Sequence, residues 1–153
     1  SLTIPKIIYR SVGKYGSSEL SEFLGSASSQ KNLTVFVGAS SKSQKVTLSL
    51  RDACELKTKV NADLLLGGVT IPERHQSKGD EHIRVFRKIS QGCAFFVSQG
   101  VYDVNASKNF LSDYYYYGQE HNIPLVPILF TLTPCDSLKT LQFMKWLGVS
   151  IPK

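Results

Sequence analysis

The sequence lacks the short motifs that identify several common kinds of site. Its three cysteines, Cys54, Cys93 and Cys135, show no C-x-x-C spacing, and no H-E-x-x-H or G-x-S-x-G motif is present. A metal site, a redox pair and a nucleophile elbow are therefore not predicted. The G-x-G-x-x-G fingerprint and the Walker lysine motif are missing as well, which argues against a Rossmann dinucleotide site and a P-loop. We interpret the cysteines as buried, reduced thiols of a cytoplasmic protein.

Long apolar runs and a concentrated charge of one sign are also missing. No run approaches the roughly 20 apolar residues that span a bilayer, and the N-terminus lacks the regions of a signal peptide, so no membrane association is expected. Eighteen Lys and Arg against twelve Asp and Glu give a net charge of +6. The basic residues are scattered, whereas nucleic-acid binding needs a patch or stripe of positive charge. We therefore expect no nucleic-acid partner and a mild attraction for a phosphorylated ligand.

Five apolar, β-branched or aromatic runs are the main feature that is present. Their starts recur at roughly thirty residues, which is the length of one βαβ unit. They are continuously apolar rather than alternating, as expected for strands that are covered on both faces. The pattern predicts a parallel sheet with strands at residues 6–10, 33–37, 63–66, 94–98 and 125–130.

Amphipathic segments fill the gaps between the predicted strands. They are centred on residues 17–24, 50–60, 83–89, 110–115 and 136–147, and each begins or ends with capping residues such as Ser17, Asp136 or Gly92. In the run Tyr114-Tyr115-Tyr116-Tyr117, helical spacing predicts that two side chains face the sheet and two face solvent or a partner. Two histidines on these helices, His82 and His121, are predicted to be surface residues.

A doubly wound open sheet and a (β/α)8 barrel both use this repeat. The uniform period without a glycine fingerprint favours the barrel, so the predicted fold class is α/β of the (β/α)8 TIM-barrel type. About five βα units are present in the chain, and five units cannot close a barrel of eight. We therefore expect a partial barrel, with the remaining strands in the same longer polypeptide or with a homo-oligomer as the functional form.

Three segments in a fixed order carry a resemblance to a known family. They are Ile71-Pro72-Glu73-Arg74-His75, then Arg87-Lys88-Ile89 followed by Gly92, then Phe95-Phe96-Val97-Ser98-Gln99. The chain resembles the methylenetetrahydrofolate reductase family, whose pattern is a Pro-Glu-x-His loop, a helix carrying Lys followed by Gly, and a strand ending in Thr-Gln. The likeness covers most of the chain, most clearly from residue 63 onward. It implies that residues 1–153 are the central and C-terminal part of a single barrel domain of this family.

The resemblance also implies a function. Members of the family are flavin-dependent barrels that reduce methylenetetrahydrofolate to methyltetrahydrofolate with hydride from NADH or NADPH. By this resemblance the cofactor is FAD, the substrate is a folate, and the protein belongs to one-carbon metabolism and methionine biosynthesis. The implied cofactor-binding residues are His75, Glu81 (or its neighbour Asp80), Lys88 and Gly38. The implied substrate-binding residues are Gln99 and Glu73.

The sequence departs from the family where the chemistry would occur. After Val35 and Phe36 the family has Leu-Arg-Gly-Asp, whereas here Val37 and Ala39 replace the arginine and the aspartate, and only Gly38 survives. The family's catalytic glutamate would lie upstream of Ser1. We therefore expect this chain alone to be inactive, although the intact protein is predicted to be a flavin-dependent oxidoreductase. The alternatives are a non-catalytic flavin- or folate-binding relative that scaffolds another one-carbon enzyme, and a protein of folate-dependent methyl transfer.

Overall fold

The computed structural model describes residues 4, 6–29, 33–38, 46–146 and 149. Within them the strands are β1 (Ile7–Ser11), β2 (Leu33–Val37), β3 (Leu66–Thr70), β4 (Cys93–Gly100) and β5 (Ile128–Thr131). The helices are α1 (Ser17–Ser29), α2 (Leu50–Val60), α3 (Pro72–Lys78), α4 (Glu81–Ser90), α5 (Val104–Glu120) and α6 (Leu138–Trp146), with a 3-10 turn at Val12–Lys14. The strands form one sheet in the order β1-β2-β3-β4-β5.

The α/β class and the parallel sheet are confirmed, but the prediction of a (β/α)8 TIM barrel is wrong. The described strands form a five-stranded sheet in which β1 and β5 each have one neighbour, and no pairing among the described residues joins β1 to β5. A thirty-residue βα repeat is shared by open and closed parallel sheets. Closure depends instead on hydrogen bonds between the first and last strands, which the repeat length does not report.

Contacts divide the chain into two compact units, Ser1–Val69 with Lys88–Phe95 and Thr70–Arg87 with Phe96–Lys153. In the first unit β1 pairs with β2 in parallel from Ile7↔Leu33 to Ser11↔Val37, and β2 pairs with β3. Helices α1 and α2 pack against each other. Their ends follow local capping chemistry, since Glu19 accepts a bond from the Gly16 N–H (3.0 Å) and Ser49 caps α2 through the Asp52 N–H (3.1 Å).

Strand β3 lies later in the chain than predicted, at Leu66–Thr70 instead of residues 63–66. The sequence prediction ended the strand at Leu66 and placed Gly67 and Gly68 just past it, although the structure continues the strand through both glycines. A Cβ at Gly67 would lie 2.5 Å from the Phe95 ring and 2.9 Å from Val35. Glycine is therefore needed inside this strand because two buried side chains occupy the space above its backbone.

In the second unit, β4 pairs with β5 in parallel, with an irregularity between Val97 and Gly100. Helix α3 packs against α5. The Tyr114 hydroxyl donates to the Val126 carbonyl (3.1 Å) and accepts from the Val126 N–H (2.8 Å). Tyr114 is buried and Tyr117 is half-buried, whereas Tyr115 and Tyr116 are exposed, so the predicted division into two covered and two exposed side chains is confirmed.

Helix α3 was not predicted from the sequence. Its residues were assigned to a loop, yet Pro72 stands at the first helical position, Glu73 lies in the first turn, and Gly79 ends the helix in the left-handed conformation (φ 65°). These are regular start and stop signals. The helix was missed because it has only seven residues and no apolar stripe. The other helices lie close to their predicted positions; the predicted end of α6 at Gly148 lies outside the described residues.

The cysteines differ from the prediction at one position. Cys54 and Cys93 are buried free thiols, but Cys135 is exposed. Burial raises the pKa of Cys54, and it raises the pKa of Cys93 to about 12. Neither buried thiol is ionised near neutral pH, so neither is an activated nucleophile. In the part of the chain that the structure describes, no helix has the length and apolar character needed to cross a bilayer.

Candidate functional site

The carboxyl end of β3 is held by a buried glutamate. Glu81 is 1% exposed, and its Oε1 accepts hydrogen bonds from the Thr70 hydroxyl (3.1 Å) and from the Ile71 N–H (2.9 Å). Its Oε2 lies 3.4 Å from Arg74 Nη1. The carboxylate thus joins the end of the strand to the first turns of α3 and α4. The resemblance assigned Glu81 to a flavin, whereas the structure gives both of its oxygens partners within the chain.

A second buried glutamate connects the first turn of α3 to the loop that follows β4. Glu73, in the first turn of α3, is 8% exposed, and its Oε1 accepts a hydrogen bond from the Tyr102 N–H (3.0 Å). The Tyr102 hydroxyl donates to the Thr133 carbonyl (2.6 Å) and lies 3.3 Å from Met144 Sδ. The loop that follows β4 is therefore held at both its backbone and its side chain. In this arrangement Glu73 positions the loop.

Gln99 lies near the carboxyl end of β4 and is half-buried. Next to it, Ser98 exchanges two hydrogen bonds with Thr131: the Thr131 N–H donates to Ser98 Oγ (2.8 Å), and the Thr131 hydroxyl donates to the Ser98 carbonyl (2.8 Å). The Gln99 carboxamide makes no hydrogen bond to any of the described residues. It therefore offers a donor and an acceptor to a ligand at a position whose backbone is fixed by its neighbours.

An apolar groove opens where β4 and β5 end. Its volume is about 280 Å³, and Leu132 on its border is 81% exposed. Two charged residues line the groove, Asp103 and Lys108. Asp103 caps α5 by accepting a hydrogen bond from the Ala106 N–H (2.9 Å), whereas Lys108 has no capping role. A flat apolar group with an acidic substituent suits this lining, which consists of Val101, Tyr102, Asp103, Val104, Ser107, Lys108, Leu111, Phe130 and Leu132.

Two of the predicted cofactor residues belong to the first unit. Lys88, half-buried on α4, donates from Nζ to the Val69 carbonyl (2.5 Å), so its ammonium group is engaged by the end of β3. Gly38 directly follows β2, and a Cβ there would meet no described atom within 4 Å. Val37 ends β2, whereas Ala39 lies outside the described residues.

His75, the remaining predicted cofactor residue, is 5% exposed on α3. Its Nε2 lies 2.8 Å from Asp113 Oδ2 on α5, and its ring lies 5.2 Å from that of His82 on α4. Burial, and then the neighbouring His75, lower the pKa of His82, while Asp113 and Asp80 oppose the shift. His82 was predicted to be a surface residue, but its Nδ1 is buried.

The structure thus brings together some of the predicted residues and adds others. Glu73, His75, Glu81 and Gln99 belong to the second unit, and Lys88 and Gly38 belong to the first. Sequence reasoning missed the contributions of Tyr102 and Asp113. No local signal marks Asp113, since it lies 38 residues from His75 and next to a run of tyrosines that looks like an ordinary helix face.

Comparisons with known proteins found a similar solved structure but no matching family or curated protein. No family model and no curated protein matches this sequence. Among solved structures, an uncharacterized protein from Clostridium thermocellum, described as binding two copies of 5-methyl-5,6,7,8-tetrahydrofolic acid, is 56% identical with a TM-score of 0.90. The match covers 99% of this chain and 52% of that one, so this chain spans about half the length of its neighbour. The likeness is to the α/β fold described above.

Proposed function

We propose that this chain binds a reduced folate of the 5-methyltetrahydrofolate type. The observation that carries the proposal is the neighbour's ligand, because 56% identity over 99% of this chain with a TM-score of 0.90 means that most backbone positions have a counterpart there. The resemblance of residues 71–99 to a folate enzyme is an independent argument for the same ligand class. The net charge of +6 favours approach of the folate's carboxylates.

Within the second unit, Gln99 is the residue that we assign to the pterin ring. A pterin edge presents alternating donors and acceptors, and a carboxamide supplies one of each in a plane. The Gln99 side chain is half-buried, and its carboxamide makes no hydrogen bond to the described residues, so a ligand satisfies it without breaking an internal contact. Ser98, by contrast, is already bonded twice to Thr131.

Glu73 has a different role in this proposal. Its Oε1 is occupied by the Tyr102 N–H, so it acts as a positioning residue for the loop after β4. Folate sites need polar groups that are held in place before the ligand arrives, because ordering a loop on binding costs affinity. The bond between Glu73 and Tyr102 provides that order next to the end of the strand that carries Gln99.

The test is a calorimetric titration of 5-methyltetrahydrofolate into the purified protein under reducing conditions. We expect saturable binding, and we expect Gln99→Ala to weaken it about tenfold, since two hydrogen bonds contribute roughly 1 to 3 kcal/mol. Gln119→Ala, an exposed carboxamide on α5, is the matched control and should bind like the unchanged protein. Absence of saturable binding contradicts the proposal, and equal affinities of the two variants contradict the role of Gln99.

A flavin-dependent reductase is the second candidate, because the order of the motifs from Pro72 to Gln99 resembles that family. We rank it lower because the ammonium of Lys88, the carboxylate of Glu81 and a ring nitrogen of His75 all have partners within the chain. The visible absorption of the purified protein, repeated on the supernatant after denaturation, tests FAD directly. If a flavin is released, Gln99→Glu should weaken folate binding and spare the flavin, and assays with NADH or NADPH follow.

Folate-dependent methyl transfer is a third candidate, and the methyl group of the neighbour's ligand is the observation that favours it. Incubation of the protein with methyl-labelled 5-methyltetrahydrofolate and a thiol acceptor measures it. Folate binding without methyl transfer supports the non-catalytic hypothesis, in which the protein holds or presents the folate.

A further inference from the structure

Three side chains from three helices meet in the second unit at a place that the folate proposal does not use. They are His75 on α3, His82 on α4 and Asp113 on α5, and one nitrogen or oxygen atom from each lies within 4.8 Å of the others. His75 is buried, His82 is half-buried, and the Asp113 side chain is 53% exposed. One side of the cluster is therefore buried, and the Asp113 carboxylate on the other side faces solvent.

Unpaired polar atoms distinguish this cluster from an ordinary buried histidine pair. Among the described residues, His75 Nδ1, His82 Nδ1 and Asp80 Oδ1 are buried and have no hydrogen-bond partner. Native proteins satisfy most buried polar atoms, and an atom without a partner needs an explanation such as an ion. The hydrogen bond between His75 Nε2 and Asp113 Oδ2 (2.8 Å) satisfies one ring nitrogen but accounts for neither Nδ1 atom.

We propose that His75, His82 and Asp113 bind a divalent transition-metal ion of the zinc class. Two imidazoles and one carboxylate are the donor set that Zn²⁺ and its neighbours in the first transition series prefer, whereas Mg²⁺ and Ca²⁺ select oxygen. Because Asp113 is half-exposed, the fourth position opens to water or to a small ligand. Asp80, whose Oδ1 is buried and has no hydrogen-bond partner among the described residues, adds negative charge for a cation.

The distances require a small adjustment on binding. Metal–ligand bonds of about 2.0 to 2.1 Å place tetrahedral donors about 3.3 Å apart, so the widest separation of 4.8 Å must shrink by about 1.5 Å. Rotation of the half-exposed Asp113 carboxylate and of the His82 ring supplies this movement. His75 is held more firmly, because it is 5% exposed whereas His82 is half-buried.

The experiment uses untagged protein that has been treated with a chelator and dialysed. ZnCl₂ alone is titrated against a chromophoric competitor, and Co²⁺ is used in parallel because its visible spectrum reports nitrogen and oxygen coordination. We expect one equivalent to bind. His82→Ala should lower the affinity about a hundredfold or more, because loss of an outer-shell partner alone already costs about ten- to a hundredfold.

His121→Ala is the matched control, since this third histidine is exposed at the C-terminal end of α5, where it stacks on Tyr117. It should bind zinc like the unchanged protein. If His82→Ala does not fold, the ring-proton NMR signals of the unchanged protein decide the matter. Zinc should shift the signals of His75 and His82 and leave His121 in place. Binding by His121, equal affinities of the two variants, or no saturable binding each overturn the proposal, whatever the folate titration shows.

Discussion

Replacement of Glu81 by alanine tests whether this buried carboxylate supports the structure or is reserved for a ligand. Its Oε1 accepts bonds of 2.9 Å from the Ile71 N–H and of 3.1 Å from the Thr70 hydroxyl. Hydrogen bonds to a charged group contribute about 1.5 to 3 kcal/mol each. The contact with Arg74 adds little, since it is longer (3.4 Å) and the arginine side chain is 35% exposed.

We therefore expect Glu81→Ala to lower the free energy of unfolding by about 3 to 5 kcal/mol, because it leaves the Ile71 N–H and the Thr70 hydroxyl unpaired at a site that is 1% exposed. For a protein of this size the melting temperature should fall by roughly 10 °C. Urea unfolding followed by far-ultraviolet circular dichroism measures the change. Glu81→Gln should cost less, since a carboxamide oxygen still accepts the bond from Ile71.

Glu55→Ala provides the control, because Glu55 forms an exposed pair with Arg51 one helical turn away. Surface pairs of this kind contribute about 0.3 to 0.5 kcal/mol. If Glu81→Ala destabilises the protein no more than Glu55→Ala does, the structural role of Glu81 is refuted and a ligand role becomes the better explanation.

Three further predictions concern other parts of the molecule. Gly67→Ala should destabilise the protein by about 1 to 3 kcal/mol, since the added methyl overlaps a buried aromatic ring; urea unfolding measures it, and an unchanged midpoint would contradict this packing. A thiol reagent at pH 8 should modify Cys135 at once and Cys93 only on unfolding. Folding raises the pKa of Cys93 from 9.0 to about 12. The free energy of unfolding should therefore be unaffected by this thiol below pH 9 and should fall as the pH rises towards 12. Tyr114→Phe should cost about 1 to 2 kcal/mol through two lost hydrogen bonds, whereas the exposed Tyr115→Phe should cost almost nothing; equal melting temperatures of these two variants would disprove the difference.

The sequence singled out several candidate site residues, and the structure shows what these residues contact within the chain. Glu73 and Glu81 were singled out through a resemblance, and the structure buries them in the first turns of α3 and α4. Their carboxylates bond the chain itself, to Tyr102 and to Ile71 respectively. Which polar residue remains available for a ligand depends on which ones make internal hydrogen bonds, and those bonds join residues that only the tertiary structure brings together.

Local patterns determined a good part of this protein. Continuous apolar runs determined a parallel sheet, and the bounds of β2 at Leu33–Val37 and of α2 at Leu50–Val60 follow directly from apolar spacing and a serine cap. The division of the four tyrosines into buried and exposed pairs follows from helical periodicity alone. These features depend on neighbours within a few residues, so the sequence contains them explicitly.

Only the tertiary structure decided the rest. It showed that β3 runs through Gly67, because space is limited there by Phe95, and that β1 and β5 do not pair among the described residues. It also brought His75, His82 and Asp113 together from three helices. Each of these results depends on contacts between residues that are far apart in the chain, and periodicity, which reports the immediate neighbours of a residue, carries no information about them.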